Sequence, residues 1–289
     1  MHRRGISLVE LLLVIAIIGV LMSLLLPAVM AVRQRVLLLE CMANAKNIVG
    51  AAHSYGAARK GALPHLGWFH YNLLTYLEGS TYYGKTGDDL PKKSSVYIPT
   101  YLCPLDPMRG MSVSSLGIGT SYAVNAVALE GIPSLKTTFR DGLSSTVLLG
   151  EHYAYWSRSG PDGTVDSYQF HWFLLLERYL GSVEYPIAVP GTRMRIYARA
   201  ATFADKVYGD VVPRELGHGK TRASVPGLTF QIRPRIEDAD PRIPQTPHAA
   251  GMVSGFADGH VRVLKGGMAE EVFWALVTPA GGEIVTLEE

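Results

Sequence analysis

The sequence predicts an α+β protein in which one long N-terminal α-helix packs on an antiparallel β-rich head. An apolar run from Leu11 to Leu26 opens the chain, and apolar residues then recur every three or four positions from Val29 to Tyr55. After Leu63, short β-prone runs alternate with Gly, Pro, Asp and Ser turns. A helical stretch followed by a series of strands is typical of the α+β class.

The composition limits the classes of function that are open to the chain. It has 289 residues, of which 48% are hydrophobic and 18% charged, and this is globular composition plus one apolar segment. The formal net charge of +2 is too small to predict a nucleic-acid partner.

Two cysteines, Cys41 and Cys103, allow one covalent cross-link. They have no Cys-x-x-Cys spacing, which excludes a cysteine-rich zinc site. In an exported chain they could form a disulfide, closing a loop of about 60 residues that is worth roughly 4 kcal/mol in chain entropy. The alternative is two free, buried thiols.

The N-terminal segment carries a charge that needs an explanation. From Ile6 to Ala31 it is long enough to cross about 30 Å of hydrocarbon, and Arg3 and Arg4 favour a cytoplasmic start. A secretory signal peptide cut after Ala31 is one interpretation, and a plain membrane anchor is another. Neither explains Glu10, because a carboxylate in hydrocarbon is costly unless a partner neutralises it.

A third interpretation explains the charge. The stretch from Arg3 to Leu12, RRGISLVELL, resembles the N-terminal signal of type IV prepilins and type II secretion pseudopilins. The resemblance implies that a prepilin peptidase cuts between Gly5 and Ile6 and that the new amine is methylated. It also implies that Glu10 pairs with the terminal amine of a neighbouring subunit during assembly, which would make the charge tolerable.

The helical pattern extends beyond the apolar run. We predict one helix from about Ile6 to about Ala58, roughly 80 Å long, since an α-helix rises 1.5 Å per residue. Its first half is hydrophobic all round, and its second half presses one face on the head. This is the pilin-like architecture. The predicted domains are a leader at residues 1–5, the helix at 6–60 and the head at 61–289.

Within the head, the runs beginning at Ser94, Thr120, Ser145 and Met252 favour strands. The segments near Phe69 and Phe170 favour short helices. Loops are predicted near residues 157–168 and 233–247.

Separate motifs along the head resemble those of the bacterial DUF1559 family. They include a helical segment with a cysteine, an Asn-rich turn and a His-x-Tyr-like end, a Cys-Pro-x-Asp-Pro element, an Asp-Gly element that leads to a glutamate, and the C-terminal His-x9-Asp-Gly motif. These lie at Cys41–Gly56, Tyr101–Pro107, Phe139–Glu151 and His248–Gly259, and Ala275–Glu283 resembles the closing segment. The resemblance implies an exported, prepilin-like bacterial protein and implies little about chemistry.

Asp141-Gly142 and Asp258-Gly259 predict tight turns, because both residue types tolerate positive φ. A metal site is the alternative. Asp141, Glu151 and Asp258 are the Ca²⁺ candidates, and His248 and His260 are further residues of ligand type, although no Asp-x-Asp-x-Asp-Gly loop is present. No catalytic motif is present either, so we expect no enzyme, no catalytic residue and no required cofactor.

The sequence therefore predicts a pilin-like structural subunit that is assembled through its N-terminal helix into a filament or secretion apparatus. Its expected partners are prepilin peptidase, the membrane, and copies of itself or related subunits. The expected location is the bacterial inner membrane, crossed once, with the head in the periplasm or outside, or an extracellular filament. The alternative is an anchored, exported protein that binds carbohydrate or Ca²⁺ and does not polymerise.

Overall fold

The structure is a computed structural model with side chains. It describes residues 8–77, 98–107, 109, 119–159, 165–171, 184–188, 194–204, 213–216, 220–223, 228–240 and 243–283. The chain divides into two compact units, Met1–Leu39 and Glu40–Glu289. Our predicted start of the head, residue 61, falls inside the second unit, because the second half of the long helix belongs to that unit.

One helix, α1 (Leu8–Ala58), runs through both units and contains Pro27 without interruption. Proline has no backbone N–H and so removes one helical hydrogen bond, but α1 continues through Pro27. In the first unit the large apolar side chains from Leu8 to Leu39 are mostly exposed, on every side of the helix. By length and composition, α1 could cross a membrane.

The second half of α1 forms part of the core of the second unit. Cys41, Ala45, Ile48 and Ala52 recur every three or four residues and are fully buried, as one face of a packed helix requires. The helix ends at Ala58, and the next turn is closed by Gly61, whose φ of +98° suits glycine.

Thirteen strands are described. They are β1 (Tyr122–Asn125), β2 (Val147–Glu151), β3 (Tyr155–Ser159), β4 (Val165–His171), β5 (Glu184–Ala188), β6 (Met194–Ala200), β7 (Thr202–Phe203), β8 (Pro213–Leu216), β9 (Lys220–Ala223), β10 (Gln231–Ile232), β11 (Gln245–Thr246), β12 (Met252–Phe256) and β13 (Val261–Leu264).

The central sheet has the strand order β13-β12-β2-β1-β7. Its pairs are antiparallel except for β1 with β7. Strands β1, β2 and β12 are buried at every position, so both faces of the sheet centre are covered. This agrees with the predicted α+β class and with the strands predicted in the runs from Thr120, Ser145 and Met252. The strand predicted in the run from Ser94 is wrong over its described residues, where Pro99–Tyr101 form a 3₁₀ turn.

The remaining strands form a four-stranded sheet in the order β3-β4-β6-β5, and the pairs β8-β9 and β10-β11. The predicted loop at 157–168 is therefore wrong where β3 and β4 occupy it, since these strands pair from Tyr155 with Gln169 to Ser159 with Val165. The predicted loop at 233–247 is wrong at its end, where β11 pairs with β10. The helix predicted near Phe170 is also wrong at Phe170 and His171, which end β4; the rest of that segment lies outside the described residues.

Two further short helices frame the core. The first, α2 (Phe69–Leu73), confirms the helix predicted near Phe69. The second, α3 (Glu270–Val277), was not predicted, and its Phe273 and Trp274 pack in the cluster that contains Phe203 and Phe256. Only eight residues form α3, which is too short for its apolar period to stand out in the sequence.

Candidate functional site

The N-terminal segment holds the residues predicted for processing and assembly. Glu10 lies in the first described turn of α1. Gly5 and Ile6, the predicted cleavage pair, lie outside the described residues. Around Glu10 the helix presents Val9, Leu11 and Val14, each more than half exposed. A carboxylate is thus placed at one end of a continuous apolar surface.

In the second unit, four predicted motif residues from distant parts of the chain converge. Cys41 and Cys103 form a disulfide, which confirms the cross-link that the sequence allowed. Glu151 and His248 lie against it, and the ligand atoms of all four residues lie within 4.8 Å of one another. All four are buried, none more than 3% exposed. We call this group the Cys-Glu-His cluster.

Each member comes from a different part of the fold. Cys41 lies on α1, Cys103 follows a 3₁₀ turn at Pro99–Tyr101, Glu151 ends β2, and His248 lies between β11 and β12. The Tyr122 hydroxyl donates to the Cys41 carbonyl oxygen at 3.2 Å, tying β1 to the helix beside the disulfide. The cluster therefore joins the helix to the central sheet.

Glu151 is a fully buried carboxylate with two donors on one oxygen. Its Oε2 accepts from the Thr246 hydroxyl at 2.6 Å and from the Val253 backbone N–H at 2.9 Å. Its Oε1 has no hydrogen-bond donor among the described residues. The nearby His248 Nε2, at 3.2 Å, is close enough for an ion pair but lies outside hydrogen-bond geometry.

His248 lies between the carboxylate and the disulfide. Its Nε2 is 3.4 Å from Cys103 Sγ as well as 3.2 Å from Glu151 Oε1. Its backbone N–H donates to Thr246 Oγ1 at 3.1 Å, which fixes the loop that carries the ring.

Burial and the negative charge of Glu151 raise the pKa of Tyr122 well above its usual range, as expected for a tyrosine that is buried near a carboxylate.

The other predicted residues of the head lie elsewhere, in turns. Asp141 accepts from the backbone N–H groups of Gly281 and Gly282, so it fixes the closing segment of the chain. Asp258 accepts from the backbone N–H and the ring of His260 within the β12–β13 turn. Asp141, Glu151 and Asp258 thus have three separate sets of partners, and the structure does not bring these Ca²⁺ candidates together.

The β12–β13 hairpin is also fixed to the helix. Gly259 has a φ of +93°, as an Asp-Gly turn requires, and its carbonyl accepts from Lys46 Nζ at 2.7 Å. His53 Nε2 lies 2.8 Å from the Ala257 carbonyl oxygen. The His-x9-Asp-Gly motif therefore has two structural ends: His248 in the buried cluster and Asp258-Gly259 at a turn docked on α1.

Sequence reasoning missed a second buried carboxylate. Asp106 Oδ2 accepts from the Ser121 hydroxyl at 2.6 Å and from the Ala154 backbone N–H at 2.8 Å. It lies in the Cys-Pro-x-Asp-Pro element, three residues after Cys103. The sequence around Asp106 gave no signal of its burial, since its neighbours Leu105 and Pro107 are not buried.

Comparison with known proteins identifies the N-terminal segment. Residues 1–26 match the family model described as the prokaryotic N-terminal methylation motif. No curated protein matches the chain, and no solved structure matches it. The chain therefore carries the processing signal of type IV pilin-like subunits at the start of a helix that is apolar enough to anchor it in a membrane.

Proposed function

We propose that the protein is a pilin-like structural subunit of the DUF1559 type, built for assembly rather than catalysis. Prepilin peptidase would remove residues 1–5, and α1 would pack with other copies, or with related subunits, into a filament or secretion apparatus. The observation that carries this proposal is the methylation motif at residues 1–26. The head would lie outside the inner membrane, because Arg3 and Arg4 favour a cytoplasmic leader.

The exposed half of α1 supports this function. Apolar side chains on every side of a helix are costly in water, and they require lipid or other helices around them. Identical helices that pack head to tail through non-closing contacts form filaments by symmetry. In such a bundle, Glu10 would neutralise the amino group at Ile6 of a neighbour, which offsets the cost of burying either charge.

The motifs of the head support the DUF1559 assignment indirectly. Cys41, Cys103, Glu151 and His248 each come from a separate motif, and the structure places them in one cluster. Residues that occur in separate motifs and meet in space form a shared structural unit. We therefore expect these motifs to help hold the fold of the head together.

The test is the intact mass of the protein recovered from its native membrane, together with its distribution between membrane and sheared high-molecular-weight fractions. We expect a chain that begins at methylated Ile6. Glu10→Ala should be cut at the same bond but lost from the sheared fraction. Glu40→Ala is the matched control, because it removes an exposed carboxylate of the same helix beyond the apolar run.

Other outcomes would select the alternatives. A chain that begins at Val32 would mean a secretory signal peptide, and an uncut terminus would mean a plain anchor. A processed protein whose distribution is unchanged in Glu10→Ala would favour the anchored binding protein. Carbohydrate sites commonly use exposed aromatic rings, and Tyr153 and Tyr155 of the head are buried, so these two residues do not favour that alternative.

A further inference from the structure

We propose that the Cys-Glu-His cluster is a redox-gated metal site, which binds Zn²⁺ once the Cys41–Cys103 disulfide is reduced. Within the described part of the chain it is the only group of three or more His, Cys, Asp and Glu side chains placed to hold an ion. The proposal concerns the second unit, Glu40–Glu289, and stands whether or not the protein assembles.

The ligand set has the chemistry of a zinc site. Two thiolates, one imidazole and one carboxylate are all zinc ligands, and structural sites are four-coordinate and closed to solvent. A soft sulfur pair disfavours Ca²⁺ and Mg²⁺, which take oxygen ligands. The absence of Cys-x-x-Cys spacing excludes a site built from cysteine pairs, but it does not exclude this one. Its two cysteines are far apart in sequence, and its other ligands come from β2 and the loop before β12.

Little movement separates the disulfide from the metal-bound arrangement. Around a tetrahedral zinc ion, ligand atoms lie about 3.3–3.8 Å apart, given bonds of about 2.0–2.3 Å. His248 Nε2 is already 3.4 Å from Cys103 Sγ and 3.2 Å from Glu151 Oε1. The sulfurs must separate from about 2 Å to about 3.8 Å, which rotation of the cysteine side chains supplies.

A second observation points to a cation at this position. Glu151 is fully buried, and its Oε2 accepts two hydrogen bonds. Its Oε1 faces His248 Nε2 at 3.2 Å but accepts no hydrogen bond from the described residues. A buried carboxylate oxygen normally has a hydrogen-bond partner, and its desolvation is costly without one. A bound dication would satisfy Oε1 and leave the bonds of Oε2 in place.

The chemical step is a thiol–disulfide exchange followed by metal binding. An external dithiol reduces the Cys41–Cys103 bond, giving up two electrons and two protons and becoming a disulfide itself. The two new thiols lose their protons to solvent when Zn²⁺ binds, since the thiolate is the ligand form. The disulfide cross-links the two segments that carry Cys41 and Cys103, and the metal would link these two to the segments that carry Glu151 and His248.

The test uses the full chain in detergent, reduced with a phosphine under anaerobic conditions and titrated with Co²⁺. We expect one equivalent to bind, with a thiolate-to-cobalt charge-transfer band and the intense visible bands of a tetrahedral site, both bleached by Zn²⁺. The oxidised protein should show neither. His248→Ala and Glu151→Gln should weaken binding by at least about tenfold. His65→Ala is the matched control, because His65 is exposed and distant in sequence from every ligand.

Two further measurements distinguish a loss of metal binding from a loss of folding. Circular dichroism follows the fold of each reduced sample, and alkylation with mass detection reports whether Zn²⁺ protects Cys41 and Cys103. Protection in the wild type with loss in His248→Ala supports the site. The proposal is overturned if reduced wild type is folded but shows no tetrahedral cobalt bands. It is equally overturned if reduced wild type unfolds and Zn²⁺ does not restore it, or if both ligand variants bind as the wild type does.

Discussion

At the scale of single residues, the hydroxyl of Thr246 supports the buried carboxylate. It donates to Glu151 Oε2 at 2.6 Å, and hydrogen bonds to buried charged groups are worth roughly 1.5–3 kcal/mol. We expect Thr246→Val to lower the free energy of unfolding by about that amount in urea titrations. Thr246→Ser keeps the hydroxyl and should cost about 1 kcal/mol or less, for the lost methyl group. Equal costs for the two variants would show that the hydrogen bond is not what stabilises Glu151.

The second residue-scale prediction concerns pH. His70 is buried on α2, with its ring 5.0 Å from that of Tyr101, and burial lowers its pKa from 6.5 to about 3. A hydrogen bond with the backbone of Tyr122 opposes this shift only in part. Between these two values the unfolded chain binds a proton that the folded chain does not. The contribution of His70 to stability is therefore fully present above pH 6.5 and is lost as the pH falls towards 3.

From pH 7 to pH 5.5, we expect the free energy of unfolding to fall by about 1.3 kcal/mol on account of His70. Urea titrations at both pH values should show a smaller decrease for His70→Phe than for wild type, while exposed His65→Gln should keep the wild-type decrease. An unchanged decrease in His70→Phe would contradict the assignment.

At the scale of elements, the contact between α1 and the central sheet depends on a glycine. A Cβ added at Gly255 on β12 would lie 2.7 Å from Cγ1 of Val49, a stiff and fully buried side chain. Gly255→Ala should therefore destabilise the protein by about 1–3 kcal/mol, because overpacking forces the helix from the sheet. Gly50→Ala, one residue along the same helix, meets open space and should instead stabilise it by up to about 1 kcal/mol. Denaturant midpoints of the two variants on opposite sides of wild type would confirm the contact.

Local patterns explain which elements could be predicted. The hairpin around Asp258-Gly259 and the long helix follow from turn chemistry and from one sustained period, both of which lie within a short stretch. Strands β3 and β4 were predicted as a loop because their sequence is polar and rich in serine, and pairing within a sheet overrode that local preference. The Cys-Glu-His cluster could not be predicted, because its members meet only through the register of β12 with β2 and the docking of α1.

At the scale of the whole molecule, the boundary of the folded head can be tested by truncation. The sequence places the head at residues 61–289, whereas the compact unit in the structure begins at Glu40. A chain of residues 61–289 would lack Cys41 and the buried helix face that includes Ala45, Ile48 and Ala52. It would lose the disulfide, whose loop is worth about 4 kcal/mol. It would also expose the apolar surface that this face covers. Because total stability is only about 5–15 kcal/mol, we expect it not to fold.

A chain of residues 35–289 should behave in the opposite way. It keeps one and a half helical turns before Cys41 and omits most of the exposed apolar surface of α1. We therefore expect it to be soluble without detergent, monomeric, and cooperative in thermal unfolding, with the disulfide detected by mass. If the 61–289 chain proved equally stable, the helix would be a dispensable support rather than part of the core. If the 35–289 chain failed to fold in the oxidised state, the first unit would have to contribute to the stability of the second.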